Sequence, residues 1–280
     1  MTDSFKLPAP GKLNLFLLVL GQRPDGYHRI QTLFQLVDYC DQLEFVGNSS
    51  SEIDLVGDFG DLAQADNLIH RAAILLQDIG QTDKGATILV EKRIPAGGGM
   101  GGGSSDAATT LIGLNKLWEL GLNLDDLAEV GGEIGADVPA FIRGRTAWGE
   151  GIGDELSPLE LAPKWYVVIV PECHVSTAEI FQHNELTRNS SAITIADFLR
   201  RGARNDCEMV VRSLYREVDI ALNWLSRRGP AKMTGTGSCV FAGFDDKLEA
   251  DEILSSLPRE WDGFVTRGIN DSPLHKTLYL

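Results

Sequence analysis

Residues 97–103 read GGGMGGG, six glycines in seven positions, and run directly into Ser104 and Ser105. Glycine adds no packing and loses more conformational freedom on folding than any other residue. Such a run persists where the backbone must turn sharply or come close to something. Its neighbours define its place. Lys84–Lys92 reads as a strand, and Ala107, Leu111, Leu114 and Trp118 recur at helical spacing over 104–119. A loop between strand and helix can aim several N–H groups at one point, at the positive end of the helix, where an anion is the natural ligand. A tight turn or flexible linker is the plainer alternative, but linkers are not normally clamped between an apolar strand and an amphipathic helix. The Gly-Lys-Ser/Thr ending of the Walker motif is missing. Gly97, Gly99 and Gly102 fit G-x-G-x-x-G literally, but the acidic residues at the expected distance, Asp125 and Asp126, fall at a helix start rather than a strand end.

The rest of the chain divides by pattern. Residues 6–20 and 29–46 read as two strands around GQRPDGYH at 21–28, whose Asp-Gly is a strong turn pair. Residues 52–56 form a short third strand. A helix is expected over 65–79, capped by Asp66, with Leu68, Ala72, Leu75 and Leu76 on one face. Another covers 124–134, and GADVPAFIRG at 135–144 opens a further element. The Gly-, Pro- and acid-rich stretch 149–163 marks a boundary, giving domains 1–152 and 153–280. The second holds a strand at 165–170, one helix over 208–228, a loop GTGS at 235–238, a strand at 239–244, a helix at 246–256 and a strand-like end at FVTRGIN. The fold class is α+β in two domains, with the glycine loop near their junction.

With 280 residues, 43% of them hydrophobic, the chain can build such cores. A net charge of −15 disfavours nucleic acid and anionic lipid as partners. No apolar run is membrane-length and the N-terminus carries no signal pattern, so a cytoplasmic protein, monomer or weak homodimer, is the expectation. Cys40, Cys173, Cys207 and Cys239 share no metal-ligand spacing and read as free thiols.

PAGGGMGGGSS at 95–105 resembles the phosphate loop of the galactokinase, homoserine kinase, mevalonate kinase and phosphomevalonate kinase (GHMP) superfamily, and KMTGTGSCVFAGF at 232–244 is similar to its second glycine-rich segment. APGKLNLFL at 9–17, GYHRIQTLFQLVD at 26–38, GADVPAFIRG and SPLH at 272–275 resemble, in order, the branch acting on a cytidine-diphosphate-linked polyol. The resemblance implies a GHMP-kinase-like two-domain fold and transfer of the ATP γ-phosphate to a 2-hydroxyl in the non-mevalonate route. A sister kinase for homoserine, mevalonate or a sugar is the alternative, and one without a base in its substrate would need no GYH.

By that resemblance Pro95, Ala96, Gly97, Gly98, Gly99, Met100, Gly101, Gly102, Gly103, Ser104 and Ser105 hold ATP, and Lys92 contacts adenine; a surface lysine at a strand end is the rival reading. Asp137 is the candidate base, though Asp before Val-Pro is also a common helix cap. Lys12 is its catalytic partner, or else a lysine at the exposed end of a strand. Tyr27, His28 and Phe181 are the cytosine site, with Thr177 as a polar contact nearby, and Asn14 lies close to the substrate hydroxyls; Tyr27 and Phe181 also read as ordinary core residues and His28 as the close of a turn. Mg²⁺ accompanies ATP on its phosphates, with no strong protein metal site and Ser105 as the one hydroxyl ligand considered.

Overall fold

The computed structural model describes residues 4–48 and 50–278. Its strands are β1 (Ser4–Gln22), β2 (His28–Gly47), β3 (Ile53–Gly57), β4 (Ala86–Glu91), β5 (Ala147–Glu150), β6 (Glu155–Pro158), β7 (Trp165–Val170), β8 (Lys232–Met233), β9 (Val240–Phe244) and β10 (Asp262–Ile269). Its helices are α1 (Leu68–Gly80), α2 (Gly102–Trp118), α3 (Leu124–Ile134), α4 (Val138–Arg143), α5 (Thr177–Gln182), α6 (Ile195–Arg201), α7 (Glu208–Leu214), α8 (Arg216–Leu225), α9 (Lys247–Ser255) and α10 (Pro273–Leu278). The α+β class holds.

A path β3-β4-β2-β10-β7-β9-β8 runs through the sheet. The strand from the end of the chain, β10, pairs with β2 on one side and β7 on the other. Strand β1 pairs antiparallel with β2 from Ser4 opposite Val46 to Gln22 opposite His28, with register shifts at Pro10/Lys12, Asn14/Leu17 and Val19/Gly21. Such irregularities bend a strand and re-aim its side chains. Three apolar clusters follow. One packs α1, α2 and α3 on β2 and β4, and one packs α7 and α8 on β7 and β9. The third contains Leu13, Phe16, Met100, Val168 and Phe241. Met100, the one non-glycine inside the run 97–103, is fully buried there and anchors the loop.

Two expectations fail. Asp66 does not cap α1; it lies in a short 3₁₀ turn, and the Asn67 side chain accepts from Ile69 N instead. The buried face of α1 is accordingly Ile69, Ala72, Ala73 and Leu76, with Leu75 only partly covered. The single helix over 208–228 is two, broken where Tyr215 adopts an extended backbone (φ −123°, ψ 97°) and its hydroxyl donates to Glu179. The apolar period crosses the break, which is why it reads as continuous, but Leu214 turns out to solvent.

Candidate active site

Lys12 and Asn14 are two residues apart on β1 and so face the same way. Both are buried. Lys12 Nζ donates to Asn14 Oδ1 and, at 2.9 Å, to the Gly99 carbonyl, and lies 3.6 Å from Asp137 Oδ2. Burial lowers the pKa of Lys12, and the charge and hydrogen bond of Asp137 oppose that. Asn14 Nδ2 donates to Thr32 Oγ1, and Asn14 N donates to Thr234 Oγ1. The strand-end reading of Lys12 is thus not realised. Nor is the capping role of Asp137: it occupies the N-cap position of α4, but its side chain makes no capping hydrogen bond.

The glycine loop lies against the second glycine-rich segment. Gly97 O accepts from Ser238 N, Gly98 O from Cys239 N, and Gly99 O from the Thr234 hydroxyl as well as Lys12. Gly99 sits at φ +74°, and a Cβ there would lie 2.2 Å from the Thr234 carbonyl, so only glycine fits. Lys12 N also donates to Met100 O. The carbonyls from Gly97 to Met100 are therefore engaged, and most of the amides are not. Among the described residues, none of the six consecutive N–H groups from Gly99 to Ser104 donates to a chain acceptor, and Gly101, the N-cap of α2, supplies no side chain. A cradle of free amides at a helix start is an anion site.

Lys92 Nζ is held between the carboxylates of Asp41 and Asp106. Burial would lower the pKa of Lys92, but Asp106 and Asp41 raise it above its usual value. Asp41 also accepts from the amides of Arg93 and Ile94, so the two carboxylates and one lysine tie the entry of the loop to the first turn of α2. Ser105 Oγ, Asp106 Oδ1 and Thr109 Oγ1 are buried there without partners among the described residues. Those described residues hold no cluster of three or more His, Cys, Asp or Glu suited to a metal ion.

At the other end of β1, the turn after Gln22 leaves Tyr27 60% exposed while His28 is 9% exposed. Phe181 stacks on His28, not on Tyr27, with ring centroids 5.1 Å apart. Thr177 Oγ1 shares a 2.8 Å hydrogen bond with Thr236 Oγ1 of the second glycine-rich segment. Arg188, Thr32, Thr234, Asp41 and Asp106 were not singled out from sequence. Thr234 lies beside the GTGS signal, Thr32 falls within GYHRIQTLFQLVD and Asp106 directly follows the loop, while nothing local marks Arg188 or Asp41.

The chain matches the GHMP kinases N terminal domain over residues 67–145 and the GHMP kinases C terminal over 184–263. A protein of Tolumonas auensis named 4-diphosphocytidyl-2-C-methyl-D-erythritol kinase is 51% identical over 99% of this chain and 97% of its own. One of the same name from Nitrosococcus oceani is 50% identical over 95% of each. A crystal structure of 4-(cytidine 5'-diphospho)-2C-methyl-D-erythritol kinase superposes with a TM-score of 0.82 at 31% identity, covering 95% of this chain and 100% of that one. With the amide cradle, the Lys12–Asp137 pair and a fold shared at this level, the chain belongs to the 4-diphosphocytidyl-2-C-methyl-D-erythritol kinase family within the GHMP kinases.

Proposed function

We propose that the protein transfers the γ-phosphoryl group of ATP to the 2-hydroxyl of 4-diphosphocytidyl-2-C-methyl-D-erythritol. The observation that carries this is the adjacency of two devices. The Gly99 carbonyl belongs to the loop of free amides and accepts from the same Lys12 ammonium that faces Asp137. Phosphate donor and acceptor alcohol would meet at that lysine.

The chemistry assigned is a single displacement. Asp137 takes the proton of the 2-hydroxyl as the alcohol oxygen bonds to the γ-phosphorus and the bond to the ADP oxygen breaks. Lys12 offsets charge on the transferring group. Asn14 accepts from Lys12 and, through Thr32 and Thr234, keeps it aimed. Residues 97–105 hold the phosphates. The orphaned oxygens Ser105 Oγ and Asp106 Oδ1 are hard donors at the same helix start, and they fit a Mg²⁺ ion carried mainly by those phosphates. When bound, Mg²⁺ supplies charge neutralisation. Tyr27, His28 and Phe181, with Thr177 nearby, receive the cytosine. A sister kinase for homoserine, mevalonate or a sugar has no use for that second cluster of rings. Residues 1–152 and 153–280 serve as the two domains.

ADP release from Mg·ATP is to be measured with the cytidylyl substrate, homoserine, mevalonate and galactose in parallel. Turnover with the first alone is expected. Turnover only with one of the others would overturn the substrate assignment, and turnover with none would overturn the kinase reading.

A further inference from the structure

Arg188 lies six residues past the end of α5, where no motif marks it, yet it touches two of the three residues assigned to the base, His28 and Phe181. Its Nε donates to His28 Nε2 at 3.1 Å. Its Nη2 donates to the carbonyls of Phe181, at 2.7 Å, and His183, at 2.9 Å, and its Nη1 donates to Leu186 O at 3.2 Å. Three backbone carbonyls thus fix the guanidinium plane before any ligand arrives. A guanidinium has five donors and no acceptor. The nitrogen it meets must therefore offer a lone pair, and a proton on Nε2 would put two N–H groups face to face.

We infer that Arg188 is a positioning residue for base recognition: it locks His28 as the neutral tautomer with its proton on Nδ1, making that nitrogen a hydrogen-bond donor. This deepens the cytidylyl reading above and rests on it. The consequence is chemical. A donor at Nδ1 pairs with an acceptor of the pyrimidine, ring N3 or the O2 carbonyl, and opposes the exocyclic amino group. Nδ1 has no partner among the described residues, and the ring plane is set by the stack on Phe181. The same guanidinium that orients His28 holds the backbone of Phe181, so one side chain registers two of the three rings assigned to the base. Burial, and then the Arg188 charge, lower the pKa of His28, which keeps the ring neutral at pH 7.

The tautomer can be read directly from long-range ¹H–¹⁵N correlations of His28 in the free wild-type protein at pH 7.5, with no substrate. The Nδ1–H pattern is expected; an Nε2–H or imidazolium pattern overturns the inference. Arg188→Met should raise KM for the cytidylyl substrate about tenfold, the size of one misplaced buried hydrogen bond. Its kcat and its KM for ATP should stay near wild type, which also certifies the fold. Arg188→Lys, a milder change that keeps the charge but not the fork, should show a smaller rise in the same constant alone. An unchanged KM for the cytidylyl substrate in both variants overturns the inference, as does an equal loss in every constant. If the wild type itself does not turn over that substrate, the functional reading fails, and the role of the donor fails with it whatever the spectrum shows.

Discussion

Replacing Asp137 by Asn keeps shape and a hydrogen-bonding oxygen but removes a charge 3.6 Å from a buried ammonium. At an effective dielectric of about 20, that pair is worth about 5 kcal/mol. The Asp137 side chain is 33% exposed, so solvent screens it, and about 2 kcal/mol is the better figure for the stability lost. The sign with pH follows from Lys12. Its folded pKa already lies below 10.5, because burial outweighs Asp137, and without the carboxylate it falls further. Below the folded value the buried charge is present and its cost is full; as pH rises through the folded value towards 10.5 the folded lysine sheds its proton and the cost fades. Asp137→Asn should therefore be about 2 kcal/mol less stable than wild type at pH 7, with the gap closing towards pH 10. Urea midpoints at pH 7, 8, 9 and 10 measure this. Turnover should fall about 10²–10⁴-fold while ATP still binds. A gap that does not narrow with pH would refute the ion pair as the support of Lys12, and near-normal turnover would refute the base.

Gly99→Ala combines a left-handed backbone with a methyl 2.2 Å from the Thr234 carbonyl. It should raise KM for ATP at least tenfold and lower stability by at least about 2 kcal/mol, read by initial rates and urea melts. Gly113→Ala would push a methyl to 2.6 Å from the ring of Phe45, which is fully buried, so stability should drop by about 1–3 kcal/mol with KM for ATP unchanged. The Asp106 carboxyl is pushed up to about 7, chiefly by burial and further by Asp41, with Lys92 opposing. The folded state therefore holds that proton more tightly than the unfolded chain, and the contribution to stability falls as pH rises from about 4 to 7. Asp106→Asn should flatten that part of the stability profile, measured as urea midpoints from pH 4.5 to 8.

What was legible in the sequence was periodic or compositional. Strands β1, β2, β4, β7 and β9 and helices α2 and α3 follow from apolar spacing and turn chemistry. The loop follows from glycine content, and its sequence neighbours gave its position between strand and helix. The break at Tyr215 was not legible, because one extended residue leaves the apolar spacing on either side nearly intact. The cap of α1 fell on Asn67 because its own backbone takes the extended N-cap conformation while Asp66 is held in the preceding turn. The contacts that finish the site are long-range: Lys12 to Gly99, Asn14 to Thr234 and His28 to Arg188 lie 87, 220 and 160 residues apart. No local pattern encodes such pairs. Only the tertiary fold, which lays the glycine loop, the segment after α5 and the loop between β8 and β9 against β1 and the start of β2, creates them.

The electrostatics of the loop explain why it is built from glycine and not from lysine. A chain of net charge −15 must draw in a polyanion against its own field. The two lysines nearest the loop are not simple counter-charges. Lys92 is shared by Asp41 and Asp106, so that cluster carries no positive surplus while either carboxylate is ionised. Lys12 is opposed by Asp137 and spends its donors on Asn14 and Gly99. Beyond the Lys12 charge that meets the transferring group, what remains for the phosphates is the row of six amides and the positive end of α2, neither of which can be titrated or quenched by a neighbouring carboxylate. Affinity built on fixed dipoles should then depend only weakly on pH across 6–9, where a lysine-based cradle linked to Asp106 would vary. ATP binding by calorimetry at pH 6, 7, 8 and 9 separates the two. An affinity that changes tenfold or more over that range would mean that the Lys92–Asp106 cluster, and not the amide row, governs the nucleotide.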